Sequence, residues 1–204
     1  TRRLATELIN ASSWVGGVAP TNTDTAVFSD TYAQSGAVNL STGGQLEWNG
    51  IRVEGSAVTY QIQLQNGNLN WVGVGAGGID MSSAPRNLLI GSLNVSASQT
   101  WVTKAGASLQ IGRNTSGSNS GRRLSGSGDI TVAGNGLAQV MGTDGGKLFN
   151  GNFIIQSGAT LQMMDSAAYG TTAGGITIQP SGTLINSANN DARGETIYVE
   201  GTGD

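Results

Sequence analysis

The feature that most constrains this chain is a short β-prone run followed by a glycine turn, written repeatedly. In "FNGNFIIQSGATLQM", residues 149–163, the runs Phe153–Ile155 and Thr160–Met163 are parted by Ser157-Gly158, and "GSLNVSASQTWV", "GASLQIG" and "GITIQPSGTLIN" have the same form. From Val27 onward, Val38 and Leu40, Leu46 and Trp48, Ile51 and Val53, Tyr60, Ile62 and Leu64, and Leu69 and Trp71 each sit one residue apart across a polar or small neighbour. That is strand chemistry, with one side chain in and the next out. Turn signals separate the runs at Gly43-Gly44, Asn49-Gly50, Asn66-Gly67, Gly77-Gly78, Gly106, Asn135-Gly136, Asn150-Gly151, Ser157-Gly158, Gly174-Gly175 and Ser181-Gly182. Each admits positive φ or starts a tight turn.

The signals recur at roughly seven to ten residues or about twice that, an irregular repeat. Strands this short suit a coil that turns two or three times per circuit and stacks on the coil before it. In such a β-solenoid the backbone pairs with neighbouring coils about 4.8 Å away, and inward apolar residues bury against those above and below. Circuits of roughly twenty residues would give about ten coils and a rod on the order of 50 Å long. The expected fold is all-β, a parallel β-helix forming one domain over 1–204 with repeats over 14–204. The rival is a sandwich or jelly roll, which also shows short strands at regular spacing. Only "TRRLATELIN" looks helical: Leu4, Leu8 and Ile9 can share one face, so residues 1–13 are expected to form a short cap helix or a linker.

Composition narrows the class. The length of 204 residues suffices to bury a core. With 33 Gly, 11% charged and 37% apolar residues spread along the chain, neither collagen nor charged disorder fits. Cys and His are absent, so no disulfide or thiolate site holds the fold together. Such a chain, rich in Gly, Ser, Thr and Asn, resembles bacterial exported surface proteins more than cytosolic enzymes. No charged-then-apolar segment precedes Thr1, so an export signal is expected to be removed or to lie outside these residues. No run reaches transmembrane length, so membrane insertion is not expected. A net charge of −3 without a basic stripe argues against nucleic acid as a partner.

The order of several motifs resembles a known family. "SSWVGGVAPTNTDTAVFSD", residues 12–30, is similar to the opening of passenger regions built from autotransporter-associated β-strand repeats. "LSGSGDITVAGNGLAQVMG", residues 124–142, and "FNGNFIIQSGATLQM" resemble successive steps of that repeat, and the likeness spans roughly Trp14 to Asn186. The resemblance implies a right-handed parallel β-helix exported by a bacterium as a segment of a longer surface or secreted protein. Two departures stand out. The family's "LtLsG"-like strand is replaced by Leu137-Ala138-Gln139-Val140-Met141-Gly142, and no outer-membrane barrel lies within these residues, so self-transport is not expected.

Chemistry is sparse. Without His the usual proton shuttle and metal ligand are gone, and without Cys there is no thiol nucleophile. Glycoside hydrolysis needs two carboxylates at a defined separation, which leaves Glu47, Glu54, Asp80, Asp129, Asp144 and Asp165 as candidates, none in an adjacent pair or dense cluster. Asn22-Thr23-Asp24 echoes a tripeptide of polygalacturonase-like β-helices, but the paired aspartates, the Gly-His-Gly element and the Arg-x-Lys element are missing; Asp24 is expected to be a strand-start or turn residue. Residues 73–78 satisfy GxGxxG, yet Pro85 and no amphipathic helix follow, so a loop is expected there. Gly145-Gly146-Lys147 reads as a turn, since Met141 and Leu148 occupy the phosphate-loop Gly and Ser/Thr positions. Gly126-Ser127-Gly128-Asp129 lacks the spacer and the tandem copies of a calcium nonapeptide. Trp14, Trp48, Trp71 and Trp101 are expected in the core or at corners, though a row of them exposed would suit sugars.

Three functions remain. The first is a non-enzymatic extracellular or cell-surface structural or adhesive module, with no cofactor and no metal, whose polar loops 114–123 and 186–195 are expected to be solvated insertions, the alternative being that they engage a surface glycan or host ligand. The second is a carbohydrate-active lyase or hydrolase, and the third a passive carbohydrate-binding scaffold. For the first, "ETIYVEGTGD" places Ile197 and Val199 in a final strand. That edge is expected either to be continued by further chain or to pair with another subunit in a head-to-tail assembly.

Overall fold

The computed structural model describes residues 7–29, 37–41, 45–55, 59–63, 71–84, 86–112, 123–141, 148–187 and 194–201, with the backbone alone at 37–41, 59–63, 123 and 167. Among the described residues eighteen strands form two sheets, one of eleven and one of seven strands, and all their pairings are parallel. The chain alternates between them, so each circuit lays new strands beside those of the circuit before. This is a parallel β-helix, not a sandwich.

The larger sheet holds two files of strands. One runs through Ser92–Val95, Arg123–Gly126 and Leu148–Phe149; the other through Thr25–Phe28, Gln99–Thr103, Ile130–Gly134, Phe153–Ile155, Gly175–Ile178 and Thr196–Val199. The long strands Leu46–Glu54 and Val72–Ser83 join the files by running through both. The smaller sheet stacks Ala37–Ser41, Thr59–Gln63, Leu88–Ile90, Ser108–Ile111, Leu137–Val140, Thr160–Met163 and Thr183–Asn186.

Register converts sequence alternation into columns. Ala26, Ile51, Ile79, Trp101, Val132, Ile155, Ile178 and Val199 pair in turn through eight levels. Seven intervals at the strand spacing make this stack roughly 34 Å tall. The expected ten coils are therefore eight levels, because several circuits exceed twenty residues. In the smaller sheet Leu88, Leu109, Ala138, Leu161 and Leu184 form one column, and Ile90, Ile111, Val140 and Met163 another. Nearly all of these are buried, and one core cluster runs continuously from Leu8 to Ile176. At its lower end Trp48 packs edge to face on Trp14 and on Phe28, and Trp14 and Phe28 are tilted against each other, with centroids 5.8–6.2 Å apart. Trp14 Nε1 donates to the Leu8 carbonyl at 2.8 Å.

Three sequence expectations are corrected. No α-helix occurs among the described residues; the N-terminal segment has a 3₁₀ turn at Ala11–Ser13, and Leu8 is buried while Ile9 is exposed, so they do not share a face. The first six residues, with Leu4, lie outside the described ones. Asn49-Gly50 and Gly77-Gly78 do not end strands. They lie inside the two long ones, Gly50 pairing with Gly78 beside a register shift. Residues 73–78 are likewise strand and not loop, because missing side chains let coils approach: a Cβ on Gly77 would lie 2.8 Å from the Asn49 carbonyl oxygen.

Elsewhere glycine makes corners. Gly128, Gly151 and Gly174 stack where the first file meets the second, and a Cβ on Gly151 would overlap the Gly128 carbonyl oxygen. At the turn into the smaller sheet Gly106 and Gly158 have φ of 80° and 77°. Ser181 occupies the matching place at φ 63°, a left-handed conformation that costs a side-chain-bearing residue about 1 kcal/mol. Gly151→Ala is therefore expected to destabilise by about 2–3 kcal/mol, lowering Tm by roughly 4–12 °C. Ser181→Gly is expected to raise Tm by roughly 2–4 °C, both read by thermal unfolding followed by circular dichroism.

Candidate functional site

The acidic candidates are dispersed. Glu47 pairs in register with Gly73, Glu54 with Ser83, and Asp80 with Arg52 and Val102, so no two of these are partners. Glu54 accepts from Arg52 Nε at 2.6 Å, and Asp80 accepts from the Ser82 N–H at 2.9 Å. Asp129 sits at a corner, its Oδ1 accepting from Asn152 N at 2.9 Å and Nδ2 at 2.8 Å. Asp165 opens the 3₁₀ turn Ser166–Tyr169 through Ala168 N, and Asp144 and Gly145-Gly146-Lys147 lie outside the described residues. No group of three or more acids that could hold a metal occurs among the described residues.

Asp24 closes a turn, as its place before a strand suggested. Its Oδ2 accepts from Thr21 Oγ1 at 2.6 Å and Thr21 N at 2.9 Å, while its carbonyl accepts from Asn49 N at 2.9 Å. The tryptophans form no exposed row. Trp14, Trp48 and Trp101 are buried and Trp71 is half-buried, its ring lying against Gly73. Gln99 occupies an inward column otherwise filled by Ile130, Phe153 and Ile176. It is satisfied there by accepting from Trp101 Nε1 at 3.0 Å and donating to the Val74 carbonyl at 2.8 Å.

What the sequence reading missed is on the outer face of the smaller sheet. Leu89, Gln110, Gln139, Gln162 and Ile185 share one register column, in which Leu89 and Gln110 are buried, Gln139 and Gln162 half-buried and Ile185 exposed. Gln110 Nε2 donates to Gln139 Oε1 at 2.7 Å, Gln139 Nε2 to Gln162 Oε1 at 2.6 Å, and Gln162 Nε2 to Ser187 Oγ at 2.7 Å. The signal was present: "SLQI", "LAQV" and "TLQM" put Gln at the third place of three successive strands. Beside this ladder, Asn87, Ser108, Asn135, Leu137 and Thr160 line a groove of about 420 Å³.

Ile197 and Val199 stand at the last level of two inward columns, above Ile176 and Ile178, and are 42% and 73% exposed. Polar segments 114–123 and 186–195 lie largely outside the described residues. No described helix is long and apolar enough to cross a membrane.

Compared with family models, curated proteins and solved structures, the chain finds no match.

Hydrogen bonding from the Thr21 hydroxyl, then from its N–H, holds the exposed Asp24 carboxyl below its usual value of 3.8. With the folded pKa the lower one, the contribution of Asp24 is complete above pH 3.8 and is lost as pH falls through the depressed folded value. Asp24→Asn is expected to be less stable than the parent at neutral pH, with the gap closing on acidification below that window; urea unfolding at a series of pH values checks it.

Proposed function

We propose that this chain is a non-enzymatic structural or adhesive β-solenoid module, working outside the cell or at a bacterial surface as a length of rigid rod. The observation that carries this is the unbroken eight-level column from Ala26 to Val199. Backbone pairing along the axis makes such a body stiff and leaves few free ends for a protease. Its described carboxylates are scattered along turns and strands, with no pair in register.

The chemistry of Ile197 and Val199 fits an end that is covered in use. Beneath them Ile176, Phe153 and Ile130 in one column and Ile178, Ile155 and Val132 in the other are apolar, so another coil, from more of the same chain or from a second copy, buries them in a geometry the stack already uses. In the purified 204-residue chain, concentration-dependent end-to-end association is expected by multi-angle scattering and negative-stain imaging, and Ile197→Lys with Val199→Lys should abolish it. A monodisperse monomer at high concentration overturns the assembly, and cleavage of a polysaccharide by the chain overturns the non-enzymatic role.

A further inference from the structure

We infer that the outer face of the smaller sheet is a binding site for a neutral, linear polysaccharide, which deepens the adhesive role proposed above and rests on it. None of the seven strands of this sheet contains Asp, Glu, Lys or Arg. The larger sheet, in contrast, carries Glu47, Arg52, Glu54 and Asp80 within its strands. An ionic ligand laid across these strands would lose water and meet no counter-charge within them, the flanking cations Arg86 and Lys104 standing in the turns at the sheet's edge. A hydroxyl-rich neutral chain has no such penalty.

The polar groups are fixed and partly unused. Asn87 Oδ1 accepts from Ser108 N at 2.9 Å and Asn135 Oδ1 accepts from Ala105 N at 2.9 Å, both backbone donors. A backbone N–H can only meet the amide oxygen, so each NH₂ group is left to donate elsewhere. Within the ladder, Gln139 and Gln162 each use one N–H and one oxygen lone pair on their neighbours, keeping one of each. The spare valences of Gln139 and Gln162 lie one coil apart, about 4.8 Å along the axis, close to the length of one sugar unit, while Asn87 and Asn135 offer theirs two coils apart at the groove. Half-buried Leu137 supplies an apolar floor between Ser108 and Thr160 in the same column. Because the ladder holds the amides in place beforehand, little side-chain freedom is lost on binding.

Affinity electrophoresis of the 204-residue chain in native gels containing hydroxyethyl cellulose, galactomannan or dextran tests the site, with polygalacturonate as the anionic comparison. Retardation by at least one neutral polymer is expected, insensitive to salt. Thr160→Arg projects a long cation from the lining of the groove, and Gln139→Glu breaks the donor sequence of the ladder; each should weaken binding about tenfold or more. Circular dichroism establishes that the variants are folded, and if Gln139→Glu is not, Thr160→Arg decides. The inference is overturned if no neutral polymer retards the chain, if only polygalacturonate does, if folded variants bind as the parent does, or if Thr160→Arg instead abolishes association between copies. Ile197→Lys and Val199→Lys should leave glycan binding unchanged, which separates this site from the rod assembly.

Discussion

Everything in this molecule depends on parallel backbone pairing between successive circuits. Outside the strands it continues: Gln156 N reaches the Val132 carbonyl at 3.0 Å, Gln179 N the Ile155 carbonyl at 2.9 Å, and Glu200 N the Ile178 carbonyl at 2.8 Å. The donors of one level satisfy the acceptors of the level below, so no circuit is complete without its neighbour. That dependence sets the side-chain columns. Residues in register are held one strand spacing apart, and apolar ones pack on their own kind above and below.

Gln99 and Trp14 find local partners for their buried polar groups, whereas Trp48 Nε1 and Thr103 Oγ1 are buried without one. Gln99 is a polar residue in an apolar column, and its amide accepts from Trp101 while donating to a carbonyl of the long strand beneath. Both groups would be costly to bury alone; together they are satisfied. At the lower end, three aromatic rings close the first circuits, and the Trp14 indole is anchored by the Leu8 carbonyl. Bulky rings suit that place because the column narrows there to Ala26.

The strands were legible because alternation and corner glycines write each circuit in local terms. Phe153–Ile155 and Thr160–Met163 appear where their runs lie. The glycines that misled are Gly50 and Gly73 to Gly78. A glycine that bends a chain and a glycine that admits a neighbouring backbone look alike in sequence, and only the pairing of Gly50 with Gly78 tells them apart. The Gln ladder escaped notice for a related reason. Each Gln is an ordinary outward residue within its own strand, and its meaning comes from partners 29 and 23 positions away. Titratable chemistry was sparse in the sequence and is equally dispersed across the described surface, so Asp24 and Asp129 are turn and corner residues hydrogen-bonded to near neighbours.

The stacked corner of Gly128, Gly151 and Gly174 has a consequence for how the molecule can vary. Three residues separate Val95 from Gln99, Gly126 from Ile130 and Phe149 from Phe153, a hinge of constant length whose middle place is Ala97 in the first circuit and Gly128 and Gly151 in the next two, where a Cβ would overlap the backbone of the circuit below. The opposite edge, where the chain leaves the smaller sheet, obeys no such limit: one residue lies between Ile90 and Ser92, whereas eleven lie between Ile111 and Arg123. The turn into the smaller sheet varies too, Leu137 following Val132 by five positions where Ser108 follows Trp101 by seven, so the corner between the two files keeps the pitch while the other two seams could receive grafted epitopes.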